Sequence, residues 1–379
     1  MDPILIYTRK KQNEIAAFIR ELVECESPTG DATHVDRFVD LYVERASGIA
    51  RPRTYRGGPF GRHLRCEFQL PGGKKEGQIV ALGHSDTVWP LGTLRSMPFR
   101  RARGRLWGPG VFDMKAGLAF FLFAMYALRD LDIPVRRKIL LQINSDEETG
   151  SLASRPLTEE AARQSAAVLV LEPGTGLEGR VKTARKAVGQ FHIAVRGRAS
   201  HAGVDFATGA NAIVEMARQV ERVAGFTQED RGVTVSPGTI RGGTLSNVVA
   251  AECFAEIDVR APRQADVRRL ERKFAGLKAC DKRCSIEVGG GFNRPPMERT
   301  ARTKKLFGIA QELAAELGVD LQESMSGGGS DGNLTAALGV PTLDGLGAVG
   351  EGAHAANESV LINRIADRTA LLAKLAARL

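Results

Sequence analysis

The sequence predicts an α/β protein in which a second, smaller unit interrupts the first. Three observations lead there. The chain has 379 residues, more than one hydrophobic core usually serves, so two domains are expected. Up to about residue 180, short apolar runs alternate with helical patterns, the rhythm of helices layered on a largely parallel sheet. Near Gly189 the rhythm changes to strand, helix, strand, strand, helix, strand, the order of the ferredoxin-like split unit.

The elements follow in order. Ile15, Phe18 and Leu22 mark one face of an amphipathic helix. "QIVALGH", "KILLQINSD" and "AAVLVLEPG" read as buried strands, with helices after Lys115 and around Glu159 to Gln164. "LAFFLFAMYAL", from Leu118, is too short to span a bilayer and reads as a buried helix. These strand runs end in His84, Asp146 and Glu172, at the carboxyl ends where open α/β sheets carry their sites. In the second unit, "QFHIAVRGRA", "GVTVSPGTIRGG", "NVVAAECFAEIDVRA" and "CSIEVGGGF" read as strands. "GANAIVEMARQVERVAG" and "QADVRRLERKFAGLKA" supply its helices. After "NRPPME" come the helical "KKLFGIAQELAAELG", the strand-like "VPTLDGLG" and a final helix. The expected division is therefore a main domain of residues 1–187 and 296–379 around an insert of residues 188–295.

Composition removes several classes of function. Hydrophobic residues make up 43% and charged residues 26%, as in ordinary globular proteins. The net charge of +9 is dispersed among 44 acidic residues, and only 6% of residues are aromatic. That pattern argues against nucleic acid and fits attraction of anionic substrates. Five cysteines do not make a disulfide framework, and "CDKRC" (Cys280 and Cys284) lacks the second pair a structural zinc needs. Arg9, Lys10 and Lys11 cut the first apolar run too short for a signal peptide, so a cytoplasmic protein without membrane partners is expected.

Five places carry residues suited to chemistry. His84 and Asp86 in "GHSDTVWP" share a strand face, because side chains alternate with period two. Asp113 stands in "GPGVFDMKAG", where a plain helix cap is the ordinary reading. Asp146, Glu147 and Glu148 in "NSDEETGS" repel one another unless a cation or solvent intervenes. Glu172 closes a strand in "LEPG", and His354 lies in the glycine-rich "GEGAHAANE". Each alone is weak. Together, two histidines and several carboxylates suit a borderline metal such as zinc. Two ions sharing one carboxylate, about 3.5–4 Å apart with an activated water, is the natural count. His34, His63 and His192 lack such a setting and read as surface or packing histidines.

These motifs, with "GRASHAG", "GGGSDGN" and "GAVGEGAHAANE", resemble in order those of the dizinc aminoacylase and carboxypeptidase family. That family includes glutamate carboxypeptidase, acetylornithine deacetylase and succinyl-diaminopimelate desuccinylase. The resemblance implies a zinc-peptidase-like α/β/α catalytic domain interrupted by a ferredoxin-like lid that dimerises. It implies one zinc on His84, Asp113 and Glu172, and another on Asp113, Glu148 and His354, with cobalt or manganese as possible substitutes. Glu147 becomes the general base, and Asp86 the partner that orients His84. His201 reaches a partner subunit's site to polarise an oxyanion. Asn247, Arg260 and Arg294 match positions that contact a substrate carboxylate, for which the arginine fork is suited. Gly328, Gly329 and Ser330 would cradle that carboxylate with backbone N–H groups. The loop lacks the Gly-Lys-Ser/Thr of a nucleotide site.

Three departures accompany the resemblance. Met114 follows Asp113 where some relatives carry a second acid. Arg180, with Lys182 close by, stands where glutamate carboxypeptidase has a substrate-binding lysine. Glu172, rather than an aspartate, leans toward carboxypeptidase or deacylase chemistry. The implied activity is zinc-dependent hydrolysis of a small peptide or N-acyl amino acid by a homodimer, with a glutamate-type carboxypeptidase favoured. N-deacylation of the acetylornithine or succinyl-diaminopimelate kind is the alternative, and an aminopeptidase would need an anchor for an ammonium group. A non-catalytic carboxylate- or peptide-binding protein is the reading from another class. The full ligand set and Glu147 oppose it.

Overall fold

The computed structural model describes residues 2–379 and contains two compact units. The first takes the chain up to Ala184 together with Arg299–Ser326 and Ser330–Leu379. It is built on a six-stranded sheet ordered Ala50–Arg56, Arg62–Phe68, Lys138–Asn144, Gln78–His84, Ser165–Val170, Thr342–Leu343. The last four strands are mutually parallel. Their apolar runs are buried on both faces, as parallel strands under helices must be. The first two strands form an antiparallel hairpin that the sequence reading misses. Its outer strand, "ARPRTYR", is exposed along most of its length, and an edge strand of arginines and a proline shows no apolar period to detect.

The helix Ala116–Asp130 is buried almost all round, which is why its sequence is apolar rather than amphipathic. The stretch Val111–Asp130 is long and apolar enough to cross a membrane, yet 83% of its most apolar window is buried within the fold. Phe121 meets the ring of Phe68 edge-on at 5.7 Å. The helices Gln12–Glu24 and Ile365–Arg378 bury apolar residues in the same core.

The second unit comprises Arg185–Glu298 and Gly327–Gly329. Its four-stranded antiparallel sheet is ordered Thr234–Gly242, Glu252–Ala261, Ala187–Arg196, Ser285–Arg294. The helices Ala212–Ala224 and Gln264–Ala275 complete a β-α-β-β-α-β chain order. Alternate residues of Ala187–Arg196 are buried, and Phe191 stacks on Phe274 at 4.0 Å. His192 lies against Phe254 in a stacked arrangement. Gly289 faces the imidazole of His192, where a Cβ would come within 2.3 Å of the ring.

Phe121→Ala leaves a cavity between the buried helix and the sheet. It is expected to lower unfolding stability by about 3–5 kcal/mol, measured by chemical denaturation; a loss under about 1 kcal/mol would contradict this account of the core.

Candidate metal centre

The site grows from strand ends. Gln78–His84 runs in the middle of the sheet and delivers His84 at its last position. Gly83 precedes it in close quarters, where a Cβ would press on the terminal methyls of Leu118 at 2.6 Å and Met114 at 2.9 Å and push them aside. Glu172 follows the neighbouring strand Ser165–Val170 by two residues, and the Leu171 N–H donates to the carbonyl of Leu82 at 2.9 Å. Asn144 ends the strand on the other side, and the turn carrying Glu147 and Glu148 comes next. Asp113 sits before the buried helix, and its peptide bond to Met114 is cis. His354 lies in a loop near the end of the chain and is half exposed.

These elements bring five side chains together as two triads. His84 Nε2 lies 3.3 Å from Asp113 Oδ1 and 3.5 Å from Glu172 Oε1. His354 Nε2 lies 3.3 Å from Asp113 Oδ2 and 3.4 Å from Glu148 Oε2. In each triad the ligand atoms all fall within 4.8 Å of one another. Asp113 therefore offers one oxygen to each triad. The His84 ring is fixed from behind, because Nδ1 lies 2.9 Å from the carbonyl oxygen of Asp86. Donation from Nδ1 leaves the Nε2 lone pair facing carboxylates, which is repulsive unless a cation or a proton lies between them. Glu148 Oε1 is buried without a hydrogen-bond partner. Both observations fit a pair of divalent ions, and imidazole with carboxylate is a donor set for zinc-like metals.

The same carboxylates favour protonated imidazoles wherever a cation does not neutralise them. Burial opposes a charged His84, but Asp113, Asp86 and Glu172 together push its pKa well above the ordinary value. Asp113 and Glu148 push His354 up to about 10. Burial raises the Asp113 carboxyl, but the two imidazoles bring it far below the usual carboxylate range.

The neighbouring acids divide the labour. The carboxylate of Asp86 lies 3.4 Å from His84 Nδ1, farther than its own main-chain oxygen. It accepts the N–H groups of Glu147 at 3.3 Å and Glu148 at 3.2 Å, and the Thr29 hydroxyl at 2.9 Å. Asp86 thus holds the acidic turn with its side chain and His84 with its backbone. Asp146 turns away and accepts from the N–H groups of Ala153 and Ser154, which relieves the repulsion expected in "DEE".

Glu358 escaped the sequence reading, and His63, read there as a surface or packing histidine, is buried beside the acidic turn. Glu358 is fully buried and accepts the N–H groups of Gly110 at 2.8 Å, Phe112 at 2.8 Å and Asp113 at 3.0 Å, plus Trp89 Nε1–H at 2.8 Å. It folds the loop that presents Asp113. Burial raises its pKa despite these four donors. His63 is a buried histidine whose Nδ1 accepts the Ser145 N–H at 3.2 Å, at the root of the acidic turn. Only their partners identify them; Glu358 stands 245 residues from Asp113.

Of the expected substrate contacts, Ser330 is corrected. Its N–H is taken by Asn333 Oδ1 at 2.9 Å and its hydroxyl by Asp344 at 2.6 Å, so it caps the helix Asp331–Ala337 from a buried position. Arg260 is engaged within its own unit: Nε and Nη2 donate to the two carboxylate oxygens of Asp258 at 2.8 Å, and Nη1 lies 3.5 Å from the carbonyl of Gly327. The carbonyls of Gly328 and Gly329 accept from Arg185 at 3.1 Å, and a Cβ on Gly329 would strike Arg294 at 2.6 Å. His201 and Asn247 are exposed in the second unit. His201 Nδ1 accepts two main-chain N–H groups at 3.1 Å, which puts its proton on Nε2. Arg180 lies 3.7 Å from Glu178, and the Lys182 ammonium donates to the carbonyl of Pro173 at 2.7 Å.

Comparison with known proteins adds four findings. The pattern of peptidase family M20/M25/M40 matches residues 80–378. Carboxypeptidase G2 of Pseudomonas sp. (strain RS-16) is 28% identical over 377 residues, spanning 96% of this chain and 89% of that one. Succinyl-diaminopimelate desuccinylase of Verminephrobacter eiseniae (strain EF01-2) is 28% identical over 305 residues, 76% of this chain and 75% of that one. The solved structure of aminopeptidase PepT from Bacillus cereus ATCC 10987 superposes with a TM-score of 0.80 at 23% identity, covering 97% of this chain and 98% of that one. At that identity the likeness speaks for the fold.

Two outcomes are expected. Because Asp113 and Glu148 push the His354 pKa up to about 10, a metal binding to its ring nitrogen is expected to displace a proton. Affinity for zinc should therefore rise with pH between 6 and 9, by roughly tenfold per unit for each proton released. Titration calorimetry in buffers of different ionisation heat would show a flat profile if no proton leaves. Glu358→Gln removes the charge that gathers the Asp113 loop and should weaken metal binding by about 10- to 100-fold, read from competition with a chromophoric chelator. An unchanged affinity would remove Glu358 from the site.

Proposed function

This chain belongs to peptidase family M20/M25/M40 and is a metal-dependent hydrolase, and we propose that it cleaves an amide whose nitrogen belongs to an amino acid with a free carboxylate. The observation that carries this reading is Asp113, which presents one oxygen to His84 and Glu172 and the other to His354 and Glu148. In this reading His84, Asp113 and Glu172 hold one divalent ion, and Asp113, Glu148 and His354 the other, with zinc the first choice. Bound there, the ions would supply Lewis acidity that acidifies a water and polarises the substrate carbonyl.

The protein's own groups do the rest. Glu147 shares the short turn with Glu148, and its backbone is pinned by Asp86. Its carboxylate takes a proton from the attacking water and returns it to the leaving nitrogen, which makes it the general base and then the general acid. Asp86 and Glu358 keep the ligands in register and exchange no proton. His201, with its proton on Nε2, is suited to donate to the oxyanion of the partner subunit's site in a homodimer. Asn247, Arg294 and the Gly328–Gly329 backbone are the groups assigned to the substrate carboxylate.

A C-terminal glutamate or related residue is the favoured leaving group, supported by the similarity to a carboxypeptidase along nearly the whole chain. N-deacylation of a succinyl or acetyl amino acid is the second reading, supported by the similarity to a desuccinylase over three-quarters of the chain. A binding protein without turnover is disfavoured because both triads and Glu147 are intact.

The test is amino-acid release from a panel of N-acyl amino acids and dipeptides. Release should require added metal, stop on chelation and fall about 10²- to 10⁴-fold in Glu147→Ala, with metal content unchanged. A metal-replete wild type that releases nothing from any member would falsify the hydrolase reading.

A further inference from the structure

We propose that Ser151 and Asp331 act together as positioning residues that lock the turn carrying Glu147 and Glu148; the inference rests on the hydrolase reading above. The turn opens at the end of the strand Lys138–Asn144 and closes through Gly150 and Ser151, which adopt φ +100° and +59°. A glycine in that left-handed region is ordinary, whereas a serine there carries a cost that glycine would not. A glycine would serve the backbone better. What serine adds is a hydroxyl.

That hydroxyl is used. Ser151 is fully buried, and its Oγ donates to Asp331 Oδ1. The other oxygen of Asp331 accepts from Asn144 Nδ2 at 2.5 Å. One buried carboxylate therefore receives a donor from just before the turn and another from its last residue. The Ser151 N–H closes the turn on the carbonyl of Asp146 at 2.9 Å. Asn144 is fixed in its own right, donating to Thr158 Oγ1 and accepting from Gln142 Nε2, each at 2.9 Å. Asp331 cannot drift, because it is the first residue of a helix whose cap, Ser330, is bound to Asp344.

The geometry gives this clamp a purpose. A base must be held within about 0.5 Å of its working position, and Glu147 sits on a half-buried turn of three residues with no sheet partner. Asp86 pins the amides of Glu147 and Glu148 from one side. Asp331 pins both ends of the turn from another. Asp331 belongs to neither triad, so it acts through the turn and not on the substrate.

The clean variant is Ser151→Gly, which deletes the hydroxyl while favouring the native backbone. It should fold with an undiminished melting temperature and full metal content, yet lose about 10- to 100-fold in kcat with little change in KM. Asp331→Asn should lose a similar factor, and the double variant should lose no more than the larger single loss, because the two act as one unit. Hydrogen exchange of the residue 146–151 amides should accelerate at least about tenfold in Ser151→Gly. Exchange needs no substrate, so it tests the clamp even if the wild type proves to have no amide hydrolase activity. Unchanged exchange in Ser151→Gly overturns the proposal. So does a fall in kcat that merely tracks lost metal, or losses that multiply in the double variant.

Discussion

The crowding of charge around Asp113 is the constraint on which the rest of this structure depends. Asp113, Glu148 and Glu172 approach two imidazoles within 3.3–3.5 Å, and Asp86 stands directly behind. Two like charges about 4 Å apart repel by about 4 kcal/mol at an effective dielectric of about 20. That exceeds the differences of helix propensity or capping that decide most local structure, which run to about 1 kcal/mol. Cations or protons must therefore complete the centre. The high pKa of both imidazoles and the low one of Asp113 are that same requirement expressed in protons.

Acids cannot be gathered this tightly by their own contacts, so the protein holds their backbones. Glu358 collects three amides of the Asp113 loop, and Asp86 collects the amides of Glu147 and Glu148. Arg368 does the converse on the Glu172 side. Its guanidinium is buried without an ion-pair partner among the described residues and donates to the carbonyls of Gly179, Gly345 and Gly347. Burial brings its pKa down to about 10. The Gly347 N–H then donates to the carbonyl of Glu172 at 2.9 Å. Buried charges thus meet main-chain dipoles, which satisfy them without adding a further ionised group to the centre.

The same logic explains what could be read from the sequence. His84 and Glu172 are legible because each ends an apolar run, and a polar residue after a buried strand stands out. Asp113, Glu148 and His354 are legible because glycines and neighbouring acids mark their loops. The edge strand Ala50–Arg56 is not, since its residues face solvent and obey no period. Glu358 is hidden for a different reason. Its function lies in amides that any sequence would supply, so nothing in the composition of Gly110–Asp113 points to an acid so far along the chain. Ser330 misled because a glycine-rich stretch suggests free N–H groups, whereas the N–H of Ser330 is taken by Asn333 of the helix that follows.

The two triads differ in how firmly the fold grips them, and that difference follows from where each side chain comes from. His84 and Glu172 leave neighbouring parallel strands, so the ladder that joins Gln78–His84 to Ser165–Val170 sets their separation, and both are nearly sealed from solvent. Glu148 and His354 come from a turn and a loop, and the His354 side chain is 48% exposed. A side chain on a strand end is positioned by the whole sheet, whereas one on a loop needs dedicated braces. Asp86 supplies one brace and Glu358 another, and both reach the loop-borne side across Asp113 and Glu148. Asp86 and Glu358 are thus buried carboxylates that act on the backbone where the sheet's own order ends and where solvent reaches the centre.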